Sequence, residues 1–218
     1  DAAKSQRRCF VGVDNYDAGR LCGRLIEEAC PNGGAIVLFV GSLDQDNARR
    51  RRQGILDQLA GRAREPERFD PAGAPLQVGR FEVRATFTDQ FDRQKAKAQA
   101  QDALVRWNDL VCLVGLFAYE PPILLDVLRE QQRLGAIALV AFDENDATLQ
   151  GVLDGHVHDP FEYGRQSIRL LHRLHGEPDE GRRAKLLPTG GVLDVPVRAL
   201  RKADVPAFWA DLKQKLGR

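Results

Sequence analysis

Polar and aromatic side chains follow five apolar segments of the chain, each at the point where the segment ends. These positions are Asp14-Asn15, Ser42–Asn47, Asp89–Phe91, Phe117–Glu120 and Asp143–Asn145. Carboxylates and amides pair with hydroxyl groups, and aromatic rings pack against the C–H faces of a ligand. If the five segments end at one edge of a sheet, their residue types suit a small polyhydroxylated molecule.

The clearest of these patterns lies between residues 35 and 55. The apolar run Ala35–Val40 is followed by Gly41, which indicates a strand buried on both faces. A polar loop and Arg49–Arg52 then enter a helical pattern, so the segment predicts half of a βαβ unit. Open α/β sheets bind ligands at the carboxyl ends of their strands, and we expect these side chains there: Asp44, Asp46, Asn47 and the first of the four arginines.

Each of these residues also has a purely structural interpretation. Asp89 is equally suited to be a helix N-cap, and Phe91 is equally suited to the core. Tyr119 precedes two prolines and fits a turn. We expect two or three of the four arginines in Arg49–Arg52 to form a solvated helix face.

The remaining periodicity predicts alternating strands and helices. Strands are predicted at Cys9–Val13, Ala35–Val40, Phe81–Thr88, Asp109–Phe117, Ala136–Phe142 and Val192–Val197. Helices are predicted over about 18–29, 46–60, 121–134, 145–153, 161–174 and 206–216, with another that Asp89–Asp92 caps and that runs to about Arg106. Residues 61–80 are rich in proline and glycine and predict a surface loop. Five successive β-then-α steps predict an α/β fold, a doubly wound parallel sheet with helices on both faces.

Composition excludes several classes of function. The net charge of +1 argues against a nucleic-acid binder, and no apolar run approaches the ~20 residues of a membrane span. Nucleotide-binding and hydrolase motifs are absent, so we expect no catalytic residues and no cofactor. The four cysteines lack a CxxC spacing and fit buried apolar positions, although a Cys22–Cys30 disulfide stays open. His156 and His158 have no nearby cysteine, and we predict no metal site there.

Six motifs, in order, resemble the type I periplasmic solute-binding proteins, and most closely the ribose-type sugar-binding proteins of ABC importers. This fold is shared with the ligand domains of LacI-type repressors. The resemblance runs from about residue 8 to 175 on VGVDNYDAGR (Val11–Arg20), the strand and NARRRRQGI (Ala35–Ile55), DQFDR (Asp89–Arg93), GLFAYEPP (Gly115–Pro122), AFDENDATLQG (Ala141–Gly151) and DPFEYGRQ (Asp159–Gln166).

The resemblance implies two lobes that close on a sugar, of which this chain holds nearly all of the second. Residues 1–13 would be the end of the first lobe and a crossing segment, and residues 14–158 the second lobe. Residues 159–218 would return to the first lobe and add a C-terminal strand and helix. The first half of the first lobe would be absent, so we expect residues 1–218 alone to bind sugar no more tightly than about the millimolar range.

The resemblance also assigns ligand contacts by motif. These are Arg51, Phe91, Tyr119, Glu120, Asp143 and Asn15. Glu120 departs from the family, which often has asparagine at this point. A short strand that ends in a ligand-contacting glutamine is also missing, because His158 runs directly into Asp159. Either the protein is a shortened variant at this point or residues are missing from the sequence between these two positions, and we favour the second interpretation.

We therefore interpret the chain as part of a non-enzymatic protein that binds a monosaccharide or similar polyol and delivers it to a membrane importer. The expected partners are the sugar and an ABC permease or membrane sensor, with no nucleic acid bound by this segment, and we expect a monomer. The expected location is periplasmic or extracellular, with a membrane-associated lipoprotein as a further form. The alternative is the effector domain of a LacI-type transcription regulator, which an upstream helix-turn-helix would indicate.

Overall fold

The computed structural model describes residues 9–161 and 175–217. These residues form two compact units, the first from residues 9–14 and 175–198 and the second from residues 15–161 and 199–217. The predicted boundaries lay at residues 13 and 158. Here the chain leaves the second unit after Phe161, and it returns to that unit at Ala199. The final helix thus packs with the second unit, whereas the prediction placed it in the segment that returns to the first lobe.

The strands of the described residues are short and mostly apolar. They are β1 (Phe10–Gly12), β2 (Gly34–Val40), β3 (Leu76–Val78), β4 (Phe81–Thr88), β5 (Leu110–Gly115), β6 (Ala138–Ala141), β7 (Val157–Phe161), β8 (Val192–Asp194) and β9 (Arg198–Leu200). The helices are α1 (Asn15–Ala29), α2 (Asp46–Leu59), α3 (Arg93–Arg106), α4 (Glu120–Glu130), α5 (Asp146–Asp154), α6 (Glu180–Leu186) and α7 (Val205–Leu216), with a 3₁₀ turn at Thr189–Gly191. None of these helices is long and apolar enough to span a membrane.

The second unit is built on one sheet with the strand order β3-β4-β2-β5-β6-β7-β9. Strand β2 pairs in parallel with β4 on one side and with β5 on the other, and β6 and β7 continue the parallel pairing. The chain therefore changes winding direction at β2. Crevices in doubly wound sheets lie at such switch points, outside the carboxyl ends of the strands.

Two apolar layers cover the sheet. Alternate residues of β2, such as Val37 and Phe39, join a core with α3, α4, α5 and α7. The intervening residues of β2 are equally buried and face the opposite side, because side chains alternate along a strand. Helix α1 packs there, against α2, β6 and β7. The predicted fold class, a doubly wound α/β sheet with helices on both faces, is confirmed.

Glycines let α1 and α2 cross at close range. A Cβ atom at Gly19 would lie 2.0 Å from the backbone oxygen of Arg51, and one at Gly54 would lie 2.0 Å from that of Tyr16. Since no side chain fits at either position, this contact fixes where α2 carries its arginines.

A buried polar network ties residues 61–75 to α1 and α2. Asp57 is fully buried and accepts hydrogen bonds from the Tyr16 hydroxyl at 2.8 Å and the Gln53 amide at 3.0 Å. Arg62 donates to Asp57 at 3.3 Å and to Asp70 at 2.5 Å. Residues 61–75, which the sequence predicts to lie in a surface loop, are thus held in place by hydrogen bonds to buried side chains.

Some elements differ from the prediction. Strand β3 was missed because its three residues lie in a segment rich in proline and glycine, and they pair antiparallel with β4. The predicted helix at 161–174 lies outside the described residues, except that Phe161 ends β7. Prolines 121 and 122 occupy the first turn of α4, as predicted, but that helix ends at Glu130 rather than at about residue 134.

Strand β7 runs through the junction at which the sequence predicts missing residues. Val157 and His158 pair with Leu139 and Val140 of β6. The hypothesis of a gap after His158 stays a prediction. In the first unit, β1 and β8 pair in parallel, and the amide of Val195 donates to the carbonyl of Gly12.

Candidate ligand-binding site

Polar and aromatic residues of the second unit collect around the carboxyl end of β2. They come from the segments that follow β4, β5 and β6, from the first turn of α1 and from the second turn of α2. Because β4 and β5 flank β2, the segments after these three strands must lie side by side. The site therefore coincides with the switch point of the sheet.

Arg51 is the centre of this group and is only 5% exposed. Its Nε donates to the side-chain oxygen of Asn15 at 3.0 Å, and its Nη1 donates to the backbone carbonyl of Leu116 at 2.6 Å. Nη1 also lies 3.5 Å from the carboxylate of Asp143. No group in the described part of the chain accepts a hydrogen bond from Nη2, so this nitrogen is available as a donor to a ligand.

Two aromatic rings hold the guanidinium in place. Its central carbon lies 4.7 Å from the ring centre of Phe142 and 5.4 Å from that of Phe117. Stacking of this kind fixes the planar fork of an arginine, so that its free donor points in one direction. The structure thus brings Arg51, Asn15 and Asp143 together, as their predicted roles require.

A second cluster consists of three aromatic residues. The Phe91 ring meets the Phe117 ring edge-on at 5.9 Å and the Tyr119 ring at 6.4 Å. Phe91 is 47% exposed, so it presents an apolar surface to solvent. Phe117 contacts both Arg51 and Phe91 and joins the aromatic cluster to the polar one.

The backbone at Phe91 is unusual. Gln90 and Phe91 both have positive φ values, 59° and 64°, in the left-handed region that non-glycine residues rarely adopt. The turn places the Phe91 ring directly over Gly41, where a Cβ atom would lie 2.2 Å from the ring. Such strain persists only where neighbouring contacts enforce it and is common at ligand sites.

Two buried carboxyl groups support the aromatic cluster. Asp89 is 1% exposed, and one of its oxygens accepts hydrogen bonds from the Phe91 amide at 2.7 Å and the Tyr119 hydroxyl at 2.5 Å. Glu120 is fully buried and accepts a bond from the Phe117 amide at 3.1 Å. The cap of α3 is Asp92, which accepts from the two amides of that first turn, so Asp89 is not an N-cap.

Neither carboxyl group is fully paired. The second oxygen of Asp89 and the second oxygen of Glu120 are both buried without a hydrogen-bond partner in the described residues. Burial, with the nearby Asp89 charge, raises the pKa of Glu120 to about 8. Burial and the hydrogen bond to Asp89 raise the pKa of Tyr119 as well. Glu120 is therefore neutral at pH 7 and lies inside the protein, whereas the sequence suggested a ligand contact at this position.

The remaining arginines of the run have different surroundings. Arg49 is exposed, 4.9 Å from the Phe69 ring, and Arg50 forms surface ion pairs with Asp46 and Glu67. Two of the four arginines thus lie at the surface, within the predicted two or three, whereas Arg52 is only 4% exposed.

Arg52 is directed away from the site. It donates to the Thr86 hydroxyl and to the carbonyls of Asp70 and Pro71, at 2.7 to 2.9 Å. Burial lowers the pKa of Arg52, and the Asp70 carboxylate opposes this effect. Its role is to hold the segment that follows α2.

The polar loop after β2 does not contribute the contacts expected of it. Asp44 pairs with the Ser42 hydroxyl, Asn47 accepts from the Ala48 amide, and Asp46 pairs with Arg49 and Arg50. These residues organise the loop and the first turn of α2. The expectation that the first arginine of the run lies at the site was wrong, since Arg51 is the one placed there.

The ligand contacts assigned from the sequence left out three contributors to the site, although Phe117 and Asp89 were noted at the strand ends. Phe142 lies inside an apolar run, and nothing in its spacing separates it from the core. Phe117 was noted only as the first residue of the range Phe117–Glu120, and Asp89 could equally be interpreted as a helix N-cap. A strand end that carries an aromatic residue next to a buried arginine is the signal that could have identified the two phenylalanines.

The arrangement suits recognition rather than a reaction. It offers one free guanidinium donor, a carboxylate and an amide beside an exposed aromatic surface. Such a set can satisfy hydroxyl groups in both directions while the ring covers an apolar face.

The chain is similar to solved structures of solute-binding proteins. A glucose-galactose binding protein from Geobacillus stearothermophilus superimposes with a TM-score of 0.73 at 21% identity, over 94% of this chain and 66% of that one. The sugar-binding protein of a sugar ABC transporter from Bacillus halodurans superimposes with a TM-score of 0.73 at 21% identity, over 94% of this chain and 68% of that one. The fructose binding periplasmic domain of a hybrid two-component system superimposes with a TM-score of 0.74 at 15% identity, over 98% of this chain and 65% of that one.

These likenesses establish the fold, and the chain spans about two thirds of the length of those structures. No curated protein sequence matches the chain. The sequence model of the periplasmic binding protein domain matches residues 1–178, which is most of the chain, so the protein belongs to the periplasmic binding protein domain family.

Proposed function

We propose that this chain supplies the second lobe of a sugar-binding protein that captures a monosaccharide or similar polyol without chemical change. The observation that carries the proposal is Arg51, which is buried, fixed on four sides and left with one free donor beside Asp143. An arginine held in this way for structural purposes would have a partner for each of its three nitrogens, as Arg52 does.

The aromatic cluster supports the same proposal. Phe91 is exposed although the backbone that holds it is strained and a glycine is kept beneath it. A ring that is both exposed and fixed suits the apolar face of a sugar. Similar folds bear on the ligand class, since two of the structures described above are named for glucose, galactose or fructose binding.

Delivery to an ABC importer or to a membrane sensor is the second part of the proposal. Among the proteins of similar fold, one is named for a sugar ABC transporter and another for a hybrid two-component system. We propose a periplasmic or extracellular location, which both outcomes require. Ligand contacts from the other lobe would complete the site.

Isothermal titration calorimetry on the full-length gene product tests the proposal. A panel of D-glucose, D-galactose, D-fructose, D-arabinose and D-allose covers hexoses and a pentose. We expect at least one sugar to bind in the micromolar range, and to be recovered chemically unchanged after incubation. Absence of binding across a wider monosaccharide panel, or conversion of the sugar, would contradict the proposal.

A further inference from the structure

Two cysteines meet at the edge of the sheet opposite to the ligand site. Cys30 directly follows α1, where its amide still donates to the carbonyl of Ile26. Its thiol donates to the carbonyl of Val111 at 3.5 Å. The next residue along β5 is Cys112, which is fully buried, and both cysteines are free thiols.

The Val111 carbonyl carbon is bonded to the amide nitrogen of Cys112, so the Cys30 sulfur, 3.5 Å from the Val111 oxygen, lies close to Cys112. A hydrogen bond between the thiols lowers the pKa of Cys30, whereas the same bond and burial raise the pKa of Cys112. Cys30 is therefore the better thiolate of the two. The thiolate is the nucleophile in disulfide chemistry.

Only one of these two cysteines borders a cleft. A cleft of about 380 Å³ is lined by Cys30, Pro31, Val111, Ile137, His156 and His158. Cys30 is 8% exposed and borders the cleft, while Cys112 lies behind it in the sheet and is not exposed at all. Burial lowers the pKa of His158, so this imidazole adds no positive charge to the cleft at pH 7.

We propose that Cys30 and Cys112 form a thiol–disulfide exchange site, in which a disulfide reagent reacts with Cys30 from the cleft and Cys112 completes an intramolecular disulfide. The Cys30 thiolate attacks one sulfur of the reagent, and its first thiol leaves. Cys112 then loses its proton and attacks the Cys30 sulfur, and the second thiol of the reagent leaves. Two cysteines are oxidised, one reagent disulfide is reduced, and the two released thiols carry both protons.

Geometry excludes the pairing of Cys22 with Cys30 that the sequence left open. The two residues are eight positions apart on one helical path, which is about 12 Å along the axis. A disulfide requires Cα atoms within about 7 Å. Cys22 is fully buried and lies near Cys112, so it is the internal competitor that the experiment must separate.

Peptide mapping of the full chain tests the proposal. The folded protein is incubated with glutathione disulfide, remaining thiols are alkylated in acid-quenched denaturant, and the protein is digested without reduction. We expect a linked peptide pair containing Cys30 and Cys112, with Cys22 recovered as an alkylated thiol. The midpoint of thermal unfolding should rise on oxidation and return on reduction, because the bond closes a long loop.

Single variants separate the two roles. In Cys112→Ala, Cys30 should be trapped as a mixed disulfide with glutathione, whereas in Cys30→Ala, Cys112 should stay unmodified. Cys22→Ala is the matched control and should leave the linkage unchanged. Cys9, which is partly exposed in the first unit, reports whether the reagent is active.

Two results would overturn the proposal, and neither requires that a variant folds. One is recovery of Cys30 and Cys112 as alkylated thiols from wild-type protein in which Cys9 has reacted. The other is a linkage in which Cys22 replaces either residue.

Discussion

Arg51 and Arg52 are adjacent in α2 and almost equally buried, yet their polar clusters differ in how completely the atoms are paired. Around Arg52 and Asp57, every buried side-chain nitrogen and oxygen has a partner in the described residues. Around Arg51 and Asp89, one oxygen each of Asp89 and Glu120 is buried without a partner, and Nη2 of Arg51 donates to no group of the described residues.

We interpret the difference as one between polar groups that stabilise the fold and polar groups that are available to the proposed ligand. A buried polar atom without a partner costs about 1–3 kcal/mol, a cost that a ligand or an ordered water removes when it pairs with the atom. The Asp57 network is complete and stabilises the segment after α2. The Arg51 cluster is incomplete at one edge of the sheet, where a ligand would complete it.

The largest expected effect is on the complete network. Asp57→Ala removes a fully buried carboxylate that accepts from the Tyr16 hydroxyl and the Gln53 amide and pairs with Arg62, so we expect the free energy of unfolding to fall by about 3–5 kcal/mol. Urea denaturation measures it. Asp126→Ala, which removes an exposed carboxylate paired with Arg129, is the control and should change stability by less than about 0.5 kcal/mol. Similar losses for both variants would show that the network adds nothing.

The second effect concerns binding. Arg51→Ala in the full-length gene product should weaken sugar affinity about ten- to hundredfold, because a hydrogen bond from a charged donor contributes about 1.5–3 kcal/mol. Arg50→Ala and Arg52→Ala should leave the affinity of the folded protein nearly unchanged, although Arg52→Ala should lower stability. Calorimetry distinguishes these cases. Equal losses of affinity at all three positions would remove the distinction between the two clusters.

The third effect is a pH dependence. The pKa of Glu120 rises from 4.5 to about 8 on folding, so the folded protein binds a proton that the unfolded chain has lost within this window. Stability should therefore fall as pH rises from about 4.5 to 8, by at most about 1.4 kcal/mol per unit. Glu120→Gln keeps the shape, cannot ionise and should flatten this part of the profile. Parallel profiles for wild type and variant would assign the dependence to other groups.

The smallest effect is at the exposed ring. Phe91→Ala should weaken sugar binding about five- to tenfold, because one aromatic contact contributes about 1 kcal/mol. Stability should change little, since nearly half of the side chain is already in solvent. Val105→Ala, an apolar residue that is 83% exposed on α3, controls for the general loss of surface hydrophobicity. A large loss of stability in Phe91→Ala would identify the ring as core instead.

Periodicity predicted most of the sheet and its helices because apolar runs and caps are local signals. Strand β4 has the predicted bounds, Phe81–Thr88, and α2 differs by one residue. Strand β3 could not be predicted in this way, since a three-residue edge strand beside Pro75 and Gly79 has no measurable period.

The site was predictable only in part. Asn15, Arg51 and Asp143 were identified by a motif resemblance, and the structure brings them together. Burial of Arg52 could not be foreseen, because its acceptors belong to an aperiodic segment. The choice between Asp89 and Asp92 as the cap of α3 likewise depends on backbone angles that the sequence does not contain.

The contact between Gly41 and Phe91 has a consequence for how this site can change during evolution. The ring occupies the volume of any side chain at position 41, so the two positions cannot vary independently. A lineage that replaces Gly41 must first shorten residue 91 or move its turn. A lineage that keeps the aromatic residue in this orientation is restricted to glycine, and any other residue at position 41 requires the ring to move. Positions 41 and 91 should therefore covary among related sequences, although they lie in different segments of the chain and neither would be noticed alone.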